Sequence, residues 1–268
     1  MKYIDTHCHL DFPEFDRDRA EIIQRAFEEG LIAVINVGTS LKSTKKCLSL
    51  TSLYQNCWAT AGIHPHHVRE VKTGELEELA VLAREEKVVA IGETGLDYHY
   101  GREDAAAQKE LFRWHLRLAR QLHLPVVVHQ RESRDDLLTV LKEEGLPERL
   151  VFHCFGGDSV LLKYACQHGC YCSFTGTITF EKADAVREAA ASLPDELILV
   201  ETDAPYLAPH PWRGHRNEPG RVRLVAEAVA SVRGQRREEV FRLLVENALK
   251  FFHLEVLESV SDERKGGK

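Results

Sequence analysis

The chain has no long hydrophobic run. None of its apolar stretches approaches the roughly 20 residues that a helix needs to span a bilayer. The first ten residues also lack the basic region and the apolar region of a signal peptide. We therefore predict a cytoplasmic protein that does not associate with membranes.

Paired cysteine motifs are absent as well. The seven cysteines are odd in number and irregularly spaced, and they form no CxxC motif, which disfavours a disulfide framework. Cys166, Cys170 and Cys172 lie close together, and a thiolate metal site there is the alternative. We favour small buried thiols in a reducing compartment, because a zinc site usually needs four ligands from paired motifs.

Positive charge is in deficit. The chain has 35 lysines and arginines against 42 aspartates and glutamates, a formal net charge of −7. A protein that coats nucleic acid non-specifically usually carries a basic face, so this balance argues against such a surface. It leaves a phosphate substrate open, because bound divalent cations would reverse the local field in a cleft.

Short apolar runs alternate with longer amphipathic stretches. Some runs, such as 125–128 and 197–200, are continuously apolar, which is typical of parallel strands buried on both faces. The predicted strands are 2–6, 31–37, 57–62, 88–92, 125–129, 149–153, 170–174 and 196–201. The predicted helices are 17–29, 41–54, 74–86, 103–123, 132–144, 157–168, 180–191, 219–231 and 236–250.

Eight such units predict an α/β protein, a single-domain (β/α)8 TIM-type barrel. The length of 268 residues fits the typical ~250 of this fold. An open doubly wound sheet shares the alternation, but it would more often carry a glycine-rich phosphate loop after its first strand. Here the first strand leads directly into His7 and His9. We predict a barrel domain over 1–260 and a polar, disordered tail over 261–268.

Histidines and carboxylates recur at the ends of the predicted strands. His7 and His9 lie two apart on an extended segment, so their imidazoles project from the same side. Later strands are followed by His64, Glu93, His129, His153 and Asp203. The C-terminal ends of all strands of a barrel meet at one mouth. Because imidazoles and carboxylates together bind divalent transition metals, the pattern predicts a metallohydrolase.

Longer motifs surround these residues. They are DTHCHLD (5–11), GIHP (62–65), GETGLDY (92–98), PVVVHQR (125–131), FHCFGG (152–157), ETDAPYL (201–207) and RGHRNEP (213–219). In this order they resemble the TatD-type metal-dependent deoxyribonucleases, a family of amidohydrolase-like barrels. The resemblance extends from about residue 3 to about residue 250.

The resemblance implies a centre with two divalent metal ions. Its ligands would be His7, His9, Glu93, His129, His153 and Asp203. Glu93 would bridge the ions, and Glu93 and Asp203 would act in catalysis. One ion would be bound by His7, His9 and Asp203, and the other by His129 and His153.

The identity of the metal stays open at this point. Histidine-rich ligation favours Zn²⁺, Mn²⁺ or Fe²⁺, whereas Mg²⁺ would suit a weakly occupied site. We also expect the carboxylate of Asp97 to orient a ligand histidine.

Four residues are predicted to contact the substrate: His64, Arg131, Tyr98 and His215. His215 stands where the family pattern leads us to expect a lysine, and a mostly uncharged histidine would weaken phosphate binding at neutral pH. For His64 the alternative is a turn histidine before Pro65, and for Arg131 it is a solvated salt bridge. Tyr98, Phe155 and Tyr206 are candidates for stacking on a base, with core packing as the alternative for Phe155.

Two metal ions ~3.5–4 Å apart suit the hydrolysis of a phosphodiester. We predict a metal-dependent nuclease, specifically a 3′-to-5′ deoxyribonuclease acting on single-stranded DNA; the polarity of attack comes only from the resemblance. The alternative is a hydrolase of another ester or amide, such as an aminoacyl-tRNA ester, a small phosphodiester or a lactone. An interaction protein with a vestigial site is disfavoured, because no ligand position is lost. No feature indicates an obligate oligomer, so we predict a monomer.

Overall fold

The computed structural model describes residues 1–256. Within them, eight parallel strands form one sheet in which each strand pairs with the next one along the chain. The strands are β1 (Tyr3–Cys8), β2 (Leu31–Asn36), β3 (Cys57–Ala61), β4 (Val88–Asp97), β5 (Val126–Arg131), β6 (Leu150–Phe152), β7 (Tyr171–Phe174) and β8 (Ile198–Val200). The predicted (β/α)8 barrel is confirmed. The predicted domain end at residue 260 and the tail 261–268 lie outside the described residues.

Helices follow the strands around the outside of the barrel. They are α1 (Arg19–Glu28), α2 (Leu41–Leu53), α3 (Glu75–Leu82), α4 (Ala105–Leu122), α5 (Arg134–Glu144), α6 (Ser159–His168), α7 (Asp184–Ser192), α8 (Val222–Arg233) and α9 (Arg237–Phe252). Each corresponds to a predicted helix. The prediction starts α8 three residues early, because Pro219–Arg221 form a 3₁₀ turn before it.

The helices bury one face against the barrel. In α4, Phe112, Leu116 and Ala119 are fully buried. Their spacing of four and three residues forms a single stripe on a helix. Burial of each large apolar side chain contributes roughly 1.5–3 kcal/mol. The barrel therefore has one continuous core, from which the strand ends emerge at the mouth.

Side chains complete the barrel between β1 and β8. Thr6 Oγ1 donates to the carbonyl of Val200 at 2.9 Å, and the backbone N–H of Thr202 donates to Asp5 Oδ1 at 2.9 Å. A parallel bridge joins Cys8 to Ala204 just beyond β8. The seam is thus held by side-chain hydrogen bonds as well as by backbone pairing.

Strand β4 is longer than the sequence predicts, since it continues from residue 92 to Asp97. Gly95 allows this extension. It lies at φ +141° opposite His129, and a Cβ atom there would lie 2.0 Å from the His129 carbonyl oxygen. Only glycine permits so close an approach of two backbones. As a result Glu93 and Asp97 lie on one strand, beside His129 on the next.

Among residues 1–256, no helix has both the length and the apolar character needed to cross a membrane.

Candidate metal centre

The C-terminal ends of the strands open into a cleft of about 1430 Å³. Five of the six predicted metal ligands line this cleft, and the sixth, His7, is fully buried. The ring of His7 stacks on that of His153 with centroids 4.1 Å apart. Active sites of (β/α)8 barrels lie at this end of the fold.

Four ligand-type atoms form a first cluster, made of His7, His9, Glu93 and Asp203. The Nε2 atoms of His7 and His9 lie 3.2 Å apart. Glu93 Oε2 lies 3.5 Å from the first and 3.7 Å from the second. Asp203 Oδ1 lies 3.6 Å and 3.4 Å from the same two atoms. Four atoms bound tetrahedrally to one Zn²⁺ would lie about 3.3 Å from each other.

A second cluster uses the other oxygen of Glu93, together with His129 and His153. Glu93 Oε1 lies 2.7 Å from His129 Nδ1 and 2.8 Å from His153 Nε2. The two imidazole nitrogens lie 3.2 Å apart. The Glu93 carboxylate therefore presents one oxygen to each cluster.

Hydrogen bonds set the tautomers of three of these histidines. His9 Nδ1 donates to the carbonyl of Val37, His129 Nε2 to Asp97, and His153 Nδ1 to Glu201. In the neutral form of each ring, which is the form that binds a metal ion, the remaining nitrogen carries the lone pair and faces the centre. His7 Nδ1 has no hydrogen-bond partner among the described residues. His9, His129 and His153 are therefore oriented as metal ligands by a hydrogen bond at the outer ring nitrogen. His7 lacks such a bond among the described residues.

The bridging position of Glu93 requires a carboxylate that is ionised. Burial disfavours its charged form, but when the rings of His153 and His129 are protonated, the charge of His153 and the hydrogen bond from His129 outweigh burial and hold the pKa of Glu93 well below its usual range. The pKa of Asp97 is lowered in a similar way. Burial raises it, but the hydrogen bond from His129 lowers it by more. The expected contact between Asp97 and a ligand histidine is present at 2.8 Å.

His64 lies at the edge of the second cluster, with Nε2 3.4 Å from Glu93 Oε1. Its Nδ1 accepts a hydrogen bond from the backbone N–H of His66, so the proton of the neutral ring is on Nε2. Burial lowers the pKa of His64 to about 4, which keeps the ring neutral at pH 7. A protonated Nε2 cannot bind a metal ion. His64 is therefore a hydrogen-bond donor directed into the centre.

The other predicted substrate residues are placed differently from one another. Arg131 lines the cleft. Tyr98 is buried, donates to Asp136 at 2.8 Å and is not among the lining residues. His215 lies in the segment after β8, where its backbone N–H donates to Trp212, and it does not line the cleft either. Phe155 borders the cleft but is almost fully buried and packs against Phe174, which agrees with core packing.

Two residues are missing from the sequence-based set, one that lines the cleft and one buried behind a ligand histidine. Tyr100 lines the cleft with 78% of its surface exposed, only two residues beyond Tyr98. Glu201 is buried and accepts hydrogen bonds from the ring of His153 and the backbone of Cys154. A prediction that ended β4 at Asp97 would have placed residues 98–100 at the start of a loop at the mouth. Tyr100 would then have been a candidate for contact with the substrate.

Fold and site together define a metal-dependent hydrolase built on a (β/α)8 barrel. A model of the family described as TatD related DNase matches residues 4–253. The chain belongs to the TatD family, as the sequence motifs predict, and it is an enzyme.

Individual relatives agree over almost the whole chain. YabD of Bacillus subtilis, named an uncharacterized metal-dependent hydrolase, is 36% identical over 252 residues, which cover 93% of this chain and 98% of YabD. TatD of Shigella flexneri, named a 3'-5' ssDNA/RNA exonuclease, is 33% identical and covers 86% of this chain and 91% of its own. The crystal structure of YJJV, a TatD homolog from Escherichia coli, superposes with a TM-score of 0.89 at 33% identity, covering 94% of this chain and 98% of that one.

Proposed function

We propose that the protein is a two-metal phosphodiesterase that removes nucleotides from the 3′ end of single-stranded DNA. The observation that carries this proposal is the position of Glu93, which offers one oxygen to each of two clusters. A carboxylate placed in this way can hold two cations side by side. The name of the Shigella relative supports the polarity of attack.

The two clusters would hold the cations as the motifs predict. The first ion would bind His7, His9, Asp203 and one oxygen of Glu93, and the second would bind His129, His153 and the other oxygen. When bound, two divalent cations stabilise the charge that develops on a reacting phosphate and lower the pKa of a water molecule. Zn²⁺, Mn²⁺ and Fe²⁺ suit these ligands, and Mg²⁺ would bind more weakly.

Protein groups would supply the remaining chemistry. Asp203 has 14% of its side chain exposed, so its carboxylate is open to the cleft and would accept the proton of the attacking water. The Nε2–H of His64 would donate to a phosphate oxygen. Arg131 reaches the same cleft with a guanidinium group, which binds phosphate with directed hydrogen bonds.

Exposed aromatic rings on the rim favour an unpaired strand. Tyr206 is 50% exposed and lies 6.3 Å from Phe12, whose ring stacks on His9 at 4.6 Å. Tyr100 is edge-on to His66 at 5.3 Å. Bases stack on such rings only when they are not paired, and each stacked base contributes about 1–3 kcal/mol. The monomeric state and the cytoplasmic location stay predictions.

The test uses protein stripped of metal and resupplied separately with Mg²⁺, Mn²⁺ or Zn²⁺. A 5′-labelled single-stranded DNA should give a metal-dependent ladder that shortens from the 3′ end. Glu93→Gln should abolish the ladder. Glu148→Gln is the matched control, because this exposed glutamate precedes β6 at the opposite end of the barrel, and it should cleave like the wild type.

Two results would overturn the proposal. One is a ladder that Glu93→Gln leaves unchanged. The other is the absence of cleavage with every metal although the protein binds the ions stoichiometrically, which would direct attention to the predicted alternative esters and amides.

A further inference from the structure

Asp5 opens the first motif but is not among the proposed metal ligands. Its carboxylate is fully buried and accepts three hydrogen bonds. Oδ1 accepts from the backbone N–H of Thr202 at 2.9 Å and from that of His7 at 3.3 Å. Oδ2 accepts from the hydroxyl of Thr202 at 2.6 Å. Both oxygens are thus used within the protein, and neither is turned to the metal centre.

Thr202 and Asn217 extend this contact into the segment that follows β8. Besides donating to Asp5, the Thr202 hydroxyl accepts from the N–H of Ala204 at 3.1 Å. The carbonyl of Thr202 accepts from the amide of Asn217 at 2.9 Å, and the N–H of Asn217 donates to the carbonyl of Pro205 at 2.9 Å. Thr202 and Asn217 are both fully buried. These three side chains, Asp5, Thr202 and Asn217, are called the seam latch below.

The hydrogen bonds of the seam latch involve the residues on both sides of Asp203. This residue lies directly between Thr202 and Ala204, and its backbone has φ +54°, in the left-handed region that non-glycine residues seldom adopt. Its N–H donates to the carbonyl of His7 at 2.9 Å. A strained backbone of this kind persists only where its surroundings determine it strongly. Here the surroundings are the hydrogen bonds on both sides of Asp203.

We infer that the seam latch positions the Asp203 carboxylate at the first cluster. Because the latch joins β1 to the segment after β8, this position depends on closure of the barrel. The inference rests on the proposed function in one respect, namely that Asp203 takes part in catalysis and metal binding. Asp5, Thr202 and Asn217 are positioning residues, since none of them faces the centre. Loss of the latch would release Asp203 from its backbone conformation while leaving all six ligand-type residues in the chain.

The test compares two valine substitutions at the same seam. Thr202→Val removes the hydroxyl that contacts Asp5 and Ala204. Thr6→Val is the matched control, because Thr6 is also buried and its hydroxyl also bonds across the seam, to Val200 and Ser173, whereas among residues 1–256 these are its side-chain hydrogen bonds and neither involves the Asp203 segment. Both variants should unfold at a lower temperature than the wild type. Only Thr202→Val should lower kcat for DNA cleavage, by about 10- to 100-fold, with little change in KM.

A second readout does not depend on activity. Co²⁺ bound to the protein has a visible absorption spectrum that reports its ligand geometry. The spectrum of the first cluster should change in Thr202→Val, stay the same in Thr6→Val and return in Thr202→Ser, which restores the hydroxyl. Asp5→Asn, which preserves shape and one acceptor, should give an intermediate change and provides a milder variant if Thr202→Val does not fold.

The inference is wrong if Thr202→Val keeps both the wild-type kcat and the wild-type Co²⁺ spectrum. It is equally wrong if Thr6→Val shows the same losses, because the seam alone would then be responsible. If the wild type does not cleave DNA, the proposed function fails, but the Co²⁺ comparison still decides the role of the latch.

Discussion

At the scale of single residues, the two carboxylates of the centre differ in their contacts. Glu93 offers one oxygen to each cluster, whereas Asp203 Oδ1 lies 3.6 Å from His7 Nε2 and 3.4 Å from His9 Nε2, in the first cluster. A change at Asp203 therefore leaves the second cluster with all of its ligand-type atoms. A change at Glu93 affects both clusters at once.

Asp203→Asn should reduce the rate far more than the metal content. An amide cannot accept the proton of the attacking water, and general-base catalysis contributes typically 10²–10⁴-fold. We expect kcat to fall by about this range while most of the bound metal remains. Single-turnover cleavage and elemental analysis of the same preparation would measure the two quantities.

The comparison for this prediction is Glu93→Gln, which should lose metal and rate together. If Asp203→Asn loses metal in proportion to its rate, Asp203 is chiefly a ligand, and the assignment of the base is wrong.

At the scale of elements, His115 connects α4 to the loop that carries His64. This fully buried ring accepts from the N–H of Ile63 at 3.1 Å and donates to the carbonyl of Leu111 at 2.8 Å. Burial lowers its pKa from 6.5 to about 4. The folded protein therefore holds this histidine in its neutral form, with Nε2 as an acceptor for the loop.

This burial predicts a pH-dependent stability. Between pH 6.5 and 4 the unfolded chain binds a proton at His115 and the folded chain does not, so the free energy of unfolding decreases as the pH falls through this window. A shift from 6.5 to about 4 corresponds to about 3 kcal/mol at most. His115→Gln keeps an acceptor but cannot titrate, so its stability should fall less steeply than that of the wild type in urea unfolding at pH 6.5 and pH 4.5.

The exposed residue His168 on α6 provides the control for this prediction. His168→Gln should follow the wild-type pH dependence. Parallel curves for the wild type and His115→Gln would show that His115 is not the group responsible.

At the scale of the whole molecule, the metal centre joins distant parts of the barrel. Its residues come from β1, β4 and β5 and from the segments that follow β1, β6 and β8. A cation that binds the folded chain and not the unfolded one stabilises it by mass action, by about 2.7 kcal/mol at a free concentration 100 times Kd. Bound metal should therefore join the strand ends at the mouth of the barrel and raise the free energy of unfolding.

Removal of metal should lower the melting temperature by roughly 5–10 °C, given about 2–4 °C per kcal/mol for a protein of this size. Circular dichroism with EDTA and then with excess Mn²⁺ would measure the shift. Glu93→Gln should show little response to Mn²⁺. An equal melting temperature with and without metal in the wild type would contradict this stabilisation by bound metal.

Much of this molecule was predictable from the chain. The eight strand and helix units follow from continuous apolar runs separated by amphipathic stretches, and the six ligand-type residues follow from their position where those runs stop. The prediction of Tyr98 as a stacking residue shows the limit of this reasoning. Its ring is buried against Asp136, whereas Tyr100 is exposed at the mouth, because β4 ends later than its apolar run does.

The sequence by itself determined the barrel, the family and the residue types of the centre, because these depend on local patterns of apolar and polar residues and on the motifs. Only the tertiary structure decided which atoms meet. The close approach of Gly95 to His129 and the bond between Asp5 and Thr202 each require a partner from a different part of the barrel. Asp5 and Thr202 are 197 residues apart in the chain, and no local pattern reports a contact that forms only when the barrel closes.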